Sequence, residues 1–452
     1  MPKPRGWIPV CALIPALAYS VLACAGLGAQ ELQLPVATEL PGKPFFIKKT
    51  WTIGGEGNWD YLTLDPTALQ LFIAHGKTVQ VVDVNAGALA GQVTGMREAH
   101  GIALDDSGQL GFVSDGPANR VRIFDRQSLQ VVASATTGPN PRAIVFEPLT
   151  KLVFAICADP ITESALAQVE AAGAEPTQAA APAPPARPTG RAAGRTGGGN
   201  AAASRSQNNT EIPSMISVID SSTNKTLGHV LVPGKLGFAV ADGRGEVYIN
   251  VVDRNIVTHF NAQTLLAQLQ LRAGTNQVEN VPILDWSDGR NHNPQFDSRL
   301  QWLRLTGCQN PKSLAIDGDH FRLFAACENQ KLDVINTGTG ELVTSLTIGP
   351  GTDAIGFDAS RSLIYTANGG GLGSLTVIRQ NVADSYAVIQ ELPTKQRART
   401  MAVNPANGEV YLVTNLEGFD LNRKGDGGGA HTLPVVQATP VAGSFQVLVV
   451  GN

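Results

Sequence analysis

A short pattern that recurs seven times constrains the fold of this chain more than any other feature. Each copy has four mostly apolar or small residues, then an acidic residue or Asn, then turn-forming residues. Most copies start about 42 residues apart, and the two longer intervals, which lie before and after Phe238, return to this spacing once one inserted segment is removed from each. The copies are Tyr61–Asp65, Gly101–Asp105, Ala143–Glu147, Phe238–Asp242, Ser313–Asp317, Ala354–Asp358 and Thr400–Asn404.

Further β-rich runs follow each copy of the pattern. After Ser313–Asp317, for example, come Arg322–Ala326, Leu332–Asn336 and Leu342–Ile348, separated by turn formers. Short runs rich in Val, Ile, Phe and Tyr and bounded by turn residues are typical of strands. Four strands in each repeat of this length are typical of a propeller blade. The sequence therefore predicts an all-β protein, a seven-bladed β-propeller with four antiparallel strands per blade.

The seventh repeat is incomplete at its C-terminal end. Its third run is Phe445–Val450, and no fourth run follows. Phe46–Ile53 precedes the first copy and leads into a Gly/Asn-rich loop like those between other repeats. Pairing this segment with the seventh blade would leave the ring without free edges. We therefore expect a propeller over residues 46–452 that is closed by an N-terminal strand, after a linker over residues 30–45.

Several segments resemble the blades of a known family. The runs Arg322–Asn329 and Leu332–Asn336, and the loop Gly349–Ala354, are similar to blades of the YncE-like YVTN-repeat β-propeller family. The resemblance covers residues 46–450 apart from the insertions. The resemblance implies the propeller fold. It constrains the function only weakly, because one fold can serve unrelated functions, and binding proteins are among the family's members.

The N-terminus has the layout of an export signal. Lys3 and Arg5 precede an apolar stretch from Trp7 to Leu27, and small residues end at Ala29. This pattern predicts a signal peptide over residues 1–29 and a periplasmic or secreted protein. A second interpretation treats residues 21–24 as a lipobox with Cys24 lipidated, which would attach the protein to a membrane.

Three insertions interrupt the repeats. Residues 158–213, approximately, are rich in Ala, Pro and Gly, which predicts disorder. Residues 272–303 contain Trp286 and Trp302 and could form a lid, whereas residues 417–442 include a Gly-rich loop. We place the first and third after the second strands of blades three and seven, and the second between blades four and five. All three would then emerge on one loop-rich face, where we expect the binding site.

The residue before each copy of the pattern should lie near the mouth of the central channel, and six of these seven residues are ionisable. One interpretation is a set of ion pairs between blades, such as Asp60 with Arg399 and Lys312 with Asp353. The other is a polar funnel that binds an anionic or sugar-like ligand, with three cationic side chains as donors. The seven residues are Asp60, His100, Arg142, Gly237, Lys312, Asp353 and Arg399.

Two histidines accompany the first carboxylate of this ring. His75 ends the second strand of blade one, close to the expected positions of His100 and Asp60. Two imidazoles and a carboxylate could hold a metal ion or act as an acid–base pair. A hydrogen-bonded structural histidine pair explains the same residues, and no metal-ligand spacing motif accompanies them.

The cysteines of blade five predict a disulfide. Antiparallel pairing of Lys312–Asp317 with Phe321–Cys327 places Cys308 almost opposite Cys327. Export would provide the oxidising conditions that a disulfide requires. Cys157 is then left unpaired.

The function is less constrained than the fold. We expect a binding or interaction scaffold, without a cofactor, that uses the loop-rich face for an unidentified small ligand or protein. One alternative is a hydrolase of the propeller lactonase type, with an acid–base or metal site at the channel. Another is single-stranded DNA binding, which needs a basic aromatic face; the net charge of −4 and the 6 Tyr and 5 Trp residues argue against it.

Overall fold

The fold is a ring of seven four-stranded antiparallel sheets, as the repeats predict. A computed structural model describes residues 43–159, 161, 213–273, 301–419 and 438–452 of the 452. The signal peptide, the linker up to residue 42 and most of each insertion lie outside the described residues. Within the described part, no helix is both long enough and apolar enough to span a bilayer.

The four strands of each blade are named A to D in their order from the central channel outward. The A strands are β2 Trp59–Asp65, β6 Ala99–Leu104, β10 Pro141–Glu147, β14 Leu236–Ala241, β18 Pro311–Asp317, β22 Thr352–Asp358 and β26 Thr400–Val403. The B strands are β3 Gln70–His75, β7 Leu110–Asp115, β11 Leu152–Cys157, β15 Glu246–Val251, β19 Arg322–Cys327, β23 Leu363–Asn368 and β27 Val410–Thr414.

The outer strands complete each sheet. The C strands are β4 Thr78–Asp83, β8 Arg120–Asp125, β12 Pro213–Asp220, β16 Ile256–Asn261, β20 Lys331–Asn336, β24 Ser374–Val382 and β30 Gln446–Gly451. The D strands are β5 Ala88–Val93, β9 Val131–Thr136, β13 Lys225–Pro233, β17 Gln301–Arg304, β21 Leu342–Thr347, β25 Ser385–Pro393 and β1 Phe46–Thr52. A short hairpin, β28 Glu417–Phe419 with β29 Ala438–Pro440, forms part of the third insertion.

The acidic residue of the repeat closes the turn between strands A and B. In blade one, a carboxylate oxygen of Asp65 accepts hydrogen bonds from the backbone N–H groups of Thr67 (2.9 Å) and Ala68 (3.0 Å). Such bonds satisfy turn amides that no strand partner reaches. The same role recurs in every blade, at Asp105, Glu147, Asp242, Asp317, Asp358 and Asn404.

The apolar core lies between the blades. The B strands are buried on both faces and read as nearly continuous apolar runs, as in β11 and β19. Seven buried apolar clusters each join two neighbouring blades around the ring. The cluster between blades seven and one contains Leu71, Tyr411 and Val447, so the first and last blades are packed together like any other pair.

The ring closes through the N-terminal strand. β1 pairs with β30 in antiparallel register from Phe46 opposite Gly451 to Thr52 opposite Gln446, and β30 pairs in turn with β27. The predicted closure is confirmed. Blade seven thus combines the two ends of the propeller domain and has no missing strand.

The structure corrects the position of the second insertion. Ala262–Ala273 forms a helix, α1, where we expected the fourth strand of blade four, and Gln301–Arg304 forms that strand instead. Ala262, Leu265 and Leu269 are buried at helical spacing, and Gln, Leu and Ala are good helix formers. The insertion therefore connects strands C and D.

This correction separates the insertions between two faces. We call the side with the D–A and B–C connections the upper face, and the side with the A–B and C–D turns the lower face. The first and third insertions follow B strands and leave from the upper face. The backbone N–H of Ala262 donates to the carbonyl of Gly245, in an A–B turn, so the second insertion starts on the lower face. The prediction that all three share one face is wrong.

Candidate functional site

A repeated irregularity of strand A positions the predicted ring of ionisable residues at the upper mouth of the channel. In six blades, the pairing of strands A and B shifts register near the start of strand A. Such bulges bend a strand and redirect the side chains within it. The residues within these shifts include Asp60, His100, Arg142, Gly237, Lys312 and Asp353; Arg399 directly precedes the seventh A strand.

Two pairs of ring residues join neighbouring blades. Nδ1 of His100 lies 2.8 Å from a carboxylate oxygen of Asp60, and Nε of Arg399 lies 3.0 Å from a carboxylate oxygen of Asp353. Ion pairing between blades was expected, but the partners differ from the expected ones. Asp60 pairs with the histidine of the following blade rather than with Arg399, and Arg399 takes Asp353, which leaves Lys312 to Glu328 at 3.3 Å.

His100 is buried, whereas the Asp, Arg and Lys side chains of the ring reach solvent. The side chain of His100 is 4 % exposed, and a Cβ at Gly116 would lie 2.8 Å from its Nε2, so the imidazole packs against the backbone of the B–C connection. Nε2 has no hydrogen-bond partner among the described residues. The geometry gives His100 a supporting role, in which it orients the partly exposed carboxylate of Asp60.

Tyr61 is a member of the site that the sequence reasoning missed. It follows Asp60 within the same bulge, and its ring lies 5.2 Å from that of Phe238 of blade four. Burial raises the pKa of the Tyr61 hydroxyl well above its usual value, with further contributions from neighbouring ring charges. An aromatic residue where five of the other six blades have Gly, Ala, Ser or Thr was the available sequence signal. The contributing charges are Asp60 and Asp353, which raise the pKa, and Arg399 and Arg142, which lower it.

The electrostatics of Asp353 show that ring charges act on one another. Burial raises the pKa of this carboxyl above its usual value, although Arg399 and Lys312 oppose the shift, and Asp60 and Glu328 add to it. Opposite and like charges must be close to act in this way. The ring residues of blades one, five, six and seven therefore face a shared space.

Arg142 is the cation of the ring for which the described residues provide no ion-pair partner. Its side chain is exposed, and among the described residues it forms no ion pair. The same position of blade four is Gly237, which adds no side chain to the ring. No described carboxylate therefore neutralises the guanidinium of Arg142.

His75 does not join Asp60 and His100. Its Nδ1 lies 2.9 Å from Oε1 of Gln80 and its Nε2 lies 3.2 Å from the carbonyl oxygen of Gly57, while its ring packs 4.0 Å from that of Phe445. Across the described residues, no group of three or more His, Cys, Asp or Glu side chains is arranged to hold a metal ion. The three candidate catalytic residues therefore do not form one constellation.

The lower half of the channel differs from its mouth. A cavity of about 640 Å³ opens there between the A strands, and the side chains that line it are mostly apolar, as at Ile144, Phe146, Leu314 and Phe357. The charged side chains of the channel are concentrated at the upper mouth.

The cysteines of blade five are paired in the structure. Cys308 and Cys327 form a disulfide, with Cα atoms 5.5 Å apart, that joins the loop before strand A to the end of strand B. The strand register places Pro311, rather than Cys308, opposite Cys327, so the disulfide reaches across the loop. Cys157 is free and buried, and burial raises the pKa of its thiol to about 12.

Comparison with known proteins identifies the fold and no family. No family model and no curated protein matches the chain. Among solved structures, U3-55K and the WD40 repeats of RRP9 both match with a TM-score of 0.55 and 8% identity, over 88% of this chain and 97% and 96% of theirs. Hydrazine synthase of Kuenenia stuttgartiensis matches with a TM-score of 0.51 and 14% identity, over 84% of this chain and 95% of that one. At such identities the likeness shows the fold alone: this chain is a seven-bladed β-propeller with WD40-like structural neighbours.

Proposed function

We propose that this protein is an exported binding protein, related to the YncE-like propellers, that holds a small hydroxylated anion such as a sugar acid at the upper mouth of its channel. Export rests on the signal-peptide pattern of residues 1–29, and the relationship rests on the blade motifs. The observation that carries the binding proposal is Arg142, an exposed residue at the register shift of its A strand that has no ion-pair partner among the described residues.

The ring offers complementary groups for such a ligand. Arg142, Lys312 and Arg399 can donate hydrogen bonds to a carboxylate. Asp60 and Asp353, whose side chains are 23 % and 36 % exposed, can accept hydrogen bonds from hydroxyl groups. A ligand that carries both an anionic group and hydroxyl groups uses both sets. A simple anion would meet repulsion from the two carboxylates.

Binding is favoured over catalysis because His75 lies apart from the Asp60–His100 pair and the imidazole of that pair is buried. His100 is enclosed against Gly116, and both nitrogens of His75 have partners elsewhere. A general acid or base must reach the substrate within hydrogen-bond distance. These contacts support a ring whose residues hold a ligand without transforming it.

Titration calorimetry of the full chain with glucuronate and gluconate tests the proposal. We expect saturable binding that weakens with salt and falls at least about tenfold in the Arg142→Ala variant, since a charged hydrogen bond contributes roughly 1.5–3 kcal/mol. Arg244→Ala is the matched control, because Arg244 is exposed in an A–B turn of the lower face.

Three outcomes would contradict the proposal. They are an absence of binding, equal affinity of the Arg142→Ala variant and the unaltered protein, and equal affinity for glucose and glucuronate. Preferential binding of a short single-stranded oligonucleotide would instead support nucleic-acid recognition.

A further inference from the structure

A second cavity lies on the upper face, between blades one and seven and apart from the ring of charges. Its volume is about 200 Å³. It is formed where the ends of the propeller meet, by the loop after β1, the end of β3, and the segment between β29 and β30. The residues that the argument uses are Gly55, Trp59, His75, Asn415, Val441 and Phe445.

Two lining residues have a buried polar atom that no described residue satisfies. Trp59 is 4 % exposed and Asn415 is 8 % exposed. The indole Nε1 of Trp59 and the amide Oδ1 of Asn415 make no hydrogen bond with the described residues. Buried polar atoms in native proteins nearly always have a partner, because an unsatisfied group costs its full desolvation free energy. A donor and an acceptor that line the same cavity indicate a ligand that satisfies both.

The indole of Trp59 is held in place by its neighbours. The guanidinium carbon of Arg397 lies 4.9 Å from the centre of the indole, and Nη1 of Arg397 donates to Glu417 at 2.9 Å. Phe445 packs against the indole at 5.6 Å. Arg397 adopts φ 65°, in the left-handed region that non-glycine residues rarely occupy. The ring of Trp59 is already in contact with Arg397 and Phe445. The part of the indole that is left without a partner among the described residues is its N–H.

The cavity also excludes several kinds of ligand. Arg397 is paired with Glu417, and both ring nitrogens of His75 are hydrogen-bonded, so neither is available to an anion. Gly55 approaches His75 so closely that a Cβ would lie 2.9 Å from the imidazole, which leaves no space on that side. The volume is below the 300–1,000 Å³, roughly, of pockets for drug-sized ligands. Glu56 also lines the cavity, which further disfavours an anion. The ligand is therefore small and carries no negative charge.

We propose that this cavity is a binding site for a small planar amide. The carbonyl oxygen of the ligand accepts from Nε1 of Trp59, its N–H donates to Oδ1 of Asn415, and its apolar part packs against Phe445 and Val441. An amide presents the required acceptor and donor side by side. The site is separate from the ring of charges and does not depend on the function proposed for that ring.

Benzamide is the probe that tests this site, because it combines a planar primary amide with one apolar ring. The full chain is labelled with ¹⁵N, and the indole N–H resonance of Trp59 is identified by its loss in the Trp59→Phe variant. We expect this resonance to shift saturably during titration. We also expect Trp59→Phe to weaken the affinity for benzamide roughly three- to tenfold, the effect of one neutral hydrogen bond.

Matched variants and probes separate the site from general aromatic binding. Trp51→Phe changes a tryptophan that stacks on Tyr411 outside this cavity, and Arg142→Ala changes the ring of charges; both should bind benzamide with unchanged affinity. N,N-dimethylbenzamide lacks the N–H donor and should bind several-fold more weakly to the unaltered protein. That preference should disappear in the Asn415→Ala variant.

Several results would overturn the proposal. One is a Trp59 resonance that stays in place at saturating benzamide. Another is an equal shift with benzoate, which has the same shape but carries a charge. A third is equal affinity of the unaltered protein for benzamide and N,N-dimethylbenzamide, which would show that Asn415 does not accept a hydrogen bond from the ligand. The comparison of probes uses the unaltered protein, so it remains decisive even if a variant fails to fold.

Discussion

Asp353 of blade six and Arg399 of blade seven form an ion pair of 3.0 Å at the mouth of the channel, yet the carboxyl of Asp353 has a raised pKa. Burial outweighs the attraction of the guanidinium. The native state therefore binds a proton at Asp353 more tightly than the unfolded state does. A carboxylate that is less favourable in the native state than in the unfolded chain is typical of a residue kept for binding rather than for stability.

The stability of an Asp353→Asn variant tests this balance. With a native pKa above the unfolded value of 3.8, the stabilising contribution of this carboxyl is lost as the pH rises from that value through the native pKa. Asn does not titrate, so the variant should be more stable than the wild type at pH 7, and the difference should shrink towards pH 3. Urea unfolding at pH 3, 5 and 7 measures it. Asp106→Asn, which alters an exposed pair with Lys151, is the control. The expectation is contradicted if the stability of Asp353→Asn relative to the wild type is lower at pH 7 than at pH 3.

A buried ion pair between blades one and two should contribute strongly to stability. Arg126 is 8 % exposed, and its guanidinium contacts the carboxylate of Asp65 and donates to the carbonyl oxygen of Asp105 at 3.1 Å. Burial alone would raise the pKa of Asp65, but hydrogen bonds from the turn and the charge of Arg126 bring it below its usual value.

Removing Arg126 leaves the carboxylate of Asp65 buried without its cation. We expect Arg126→Ala to lower the free energy of unfolding by about 3–5 kcal/mol. Arg244→Ala removes an exposed pair with Asp319 and should cost less than about 1 kcal/mol. Chemical denaturation of both variants makes the comparison, and similar small losses in the two would refute the assigned role. Adding Asp65→Asn to Arg126→Ala should recover part of the loss.

The disulfide of blade five should stabilise the protein. Cys308 and Cys327 are separated by 19 residues, and closing a loop of this size is worth about 3 kcal/mol on the chain-entropy account. A Cys308→Ala/Cys327→Ala variant should lose about this amount in denaturant unfolding. Reductant should destabilise the wild type and leave the variant unchanged. Equal sensitivity of both proteins to reductant would show that the bond does not form.

His229 should make the propeller sensitive to acid. Its side chain is 7 % exposed on β13, its Nδ1 lies 3.0 Å from Oγ of Ser217, and burial lowers its pKa from 6.5 to about 4. The unfolded chain then binds a proton that the native state excludes. Stability that is complete above pH 6.5 is lost as the pH falls towards 4, by up to about 3 kcal/mol.

A His229→Gln variant should lack this acid-dependent decline. Thermal unfolding between pH 4 and pH 7 provides the measurement. His320→Gln serves as the control, because His320 is 59 % exposed in an A–B turn. If the wild type and His229→Gln lose stability in parallel over this range, the buried imidazole is not the cause.

The repeat alone was sufficient to predict most of the fold. Each A–B turn is built from residues close in sequence, and its acidic cap, such as Asp65 or Glu147, acts on amides two or three residues away. Strand alternation and turn chemistry are local as well, so seven blades and the closing strand Phe46–Thr52 could be identified without coordinates. The error at α1 is local too, because a run of Leu, Gln and Ala of this length favours a helix over a strand.

Contacts between blades required the tertiary structure. The sequence placed Asp60, His100, Arg142, Lys312, Asp353 and Arg399 in one ring, but the partners within it follow from the bulges and the packing of neighbouring A strands. The contacts of His75 also required the tertiary structure, because its ring lies against Gln80 and Phe445 and not beside Asp60. The cavity beside Trp59 joins residues from both ends of the propeller, hundreds of positions apart. Local propensity determines each blade, whereas pairing across the ring depends on side-chain geometry that the periodicity of the repeat does not specify.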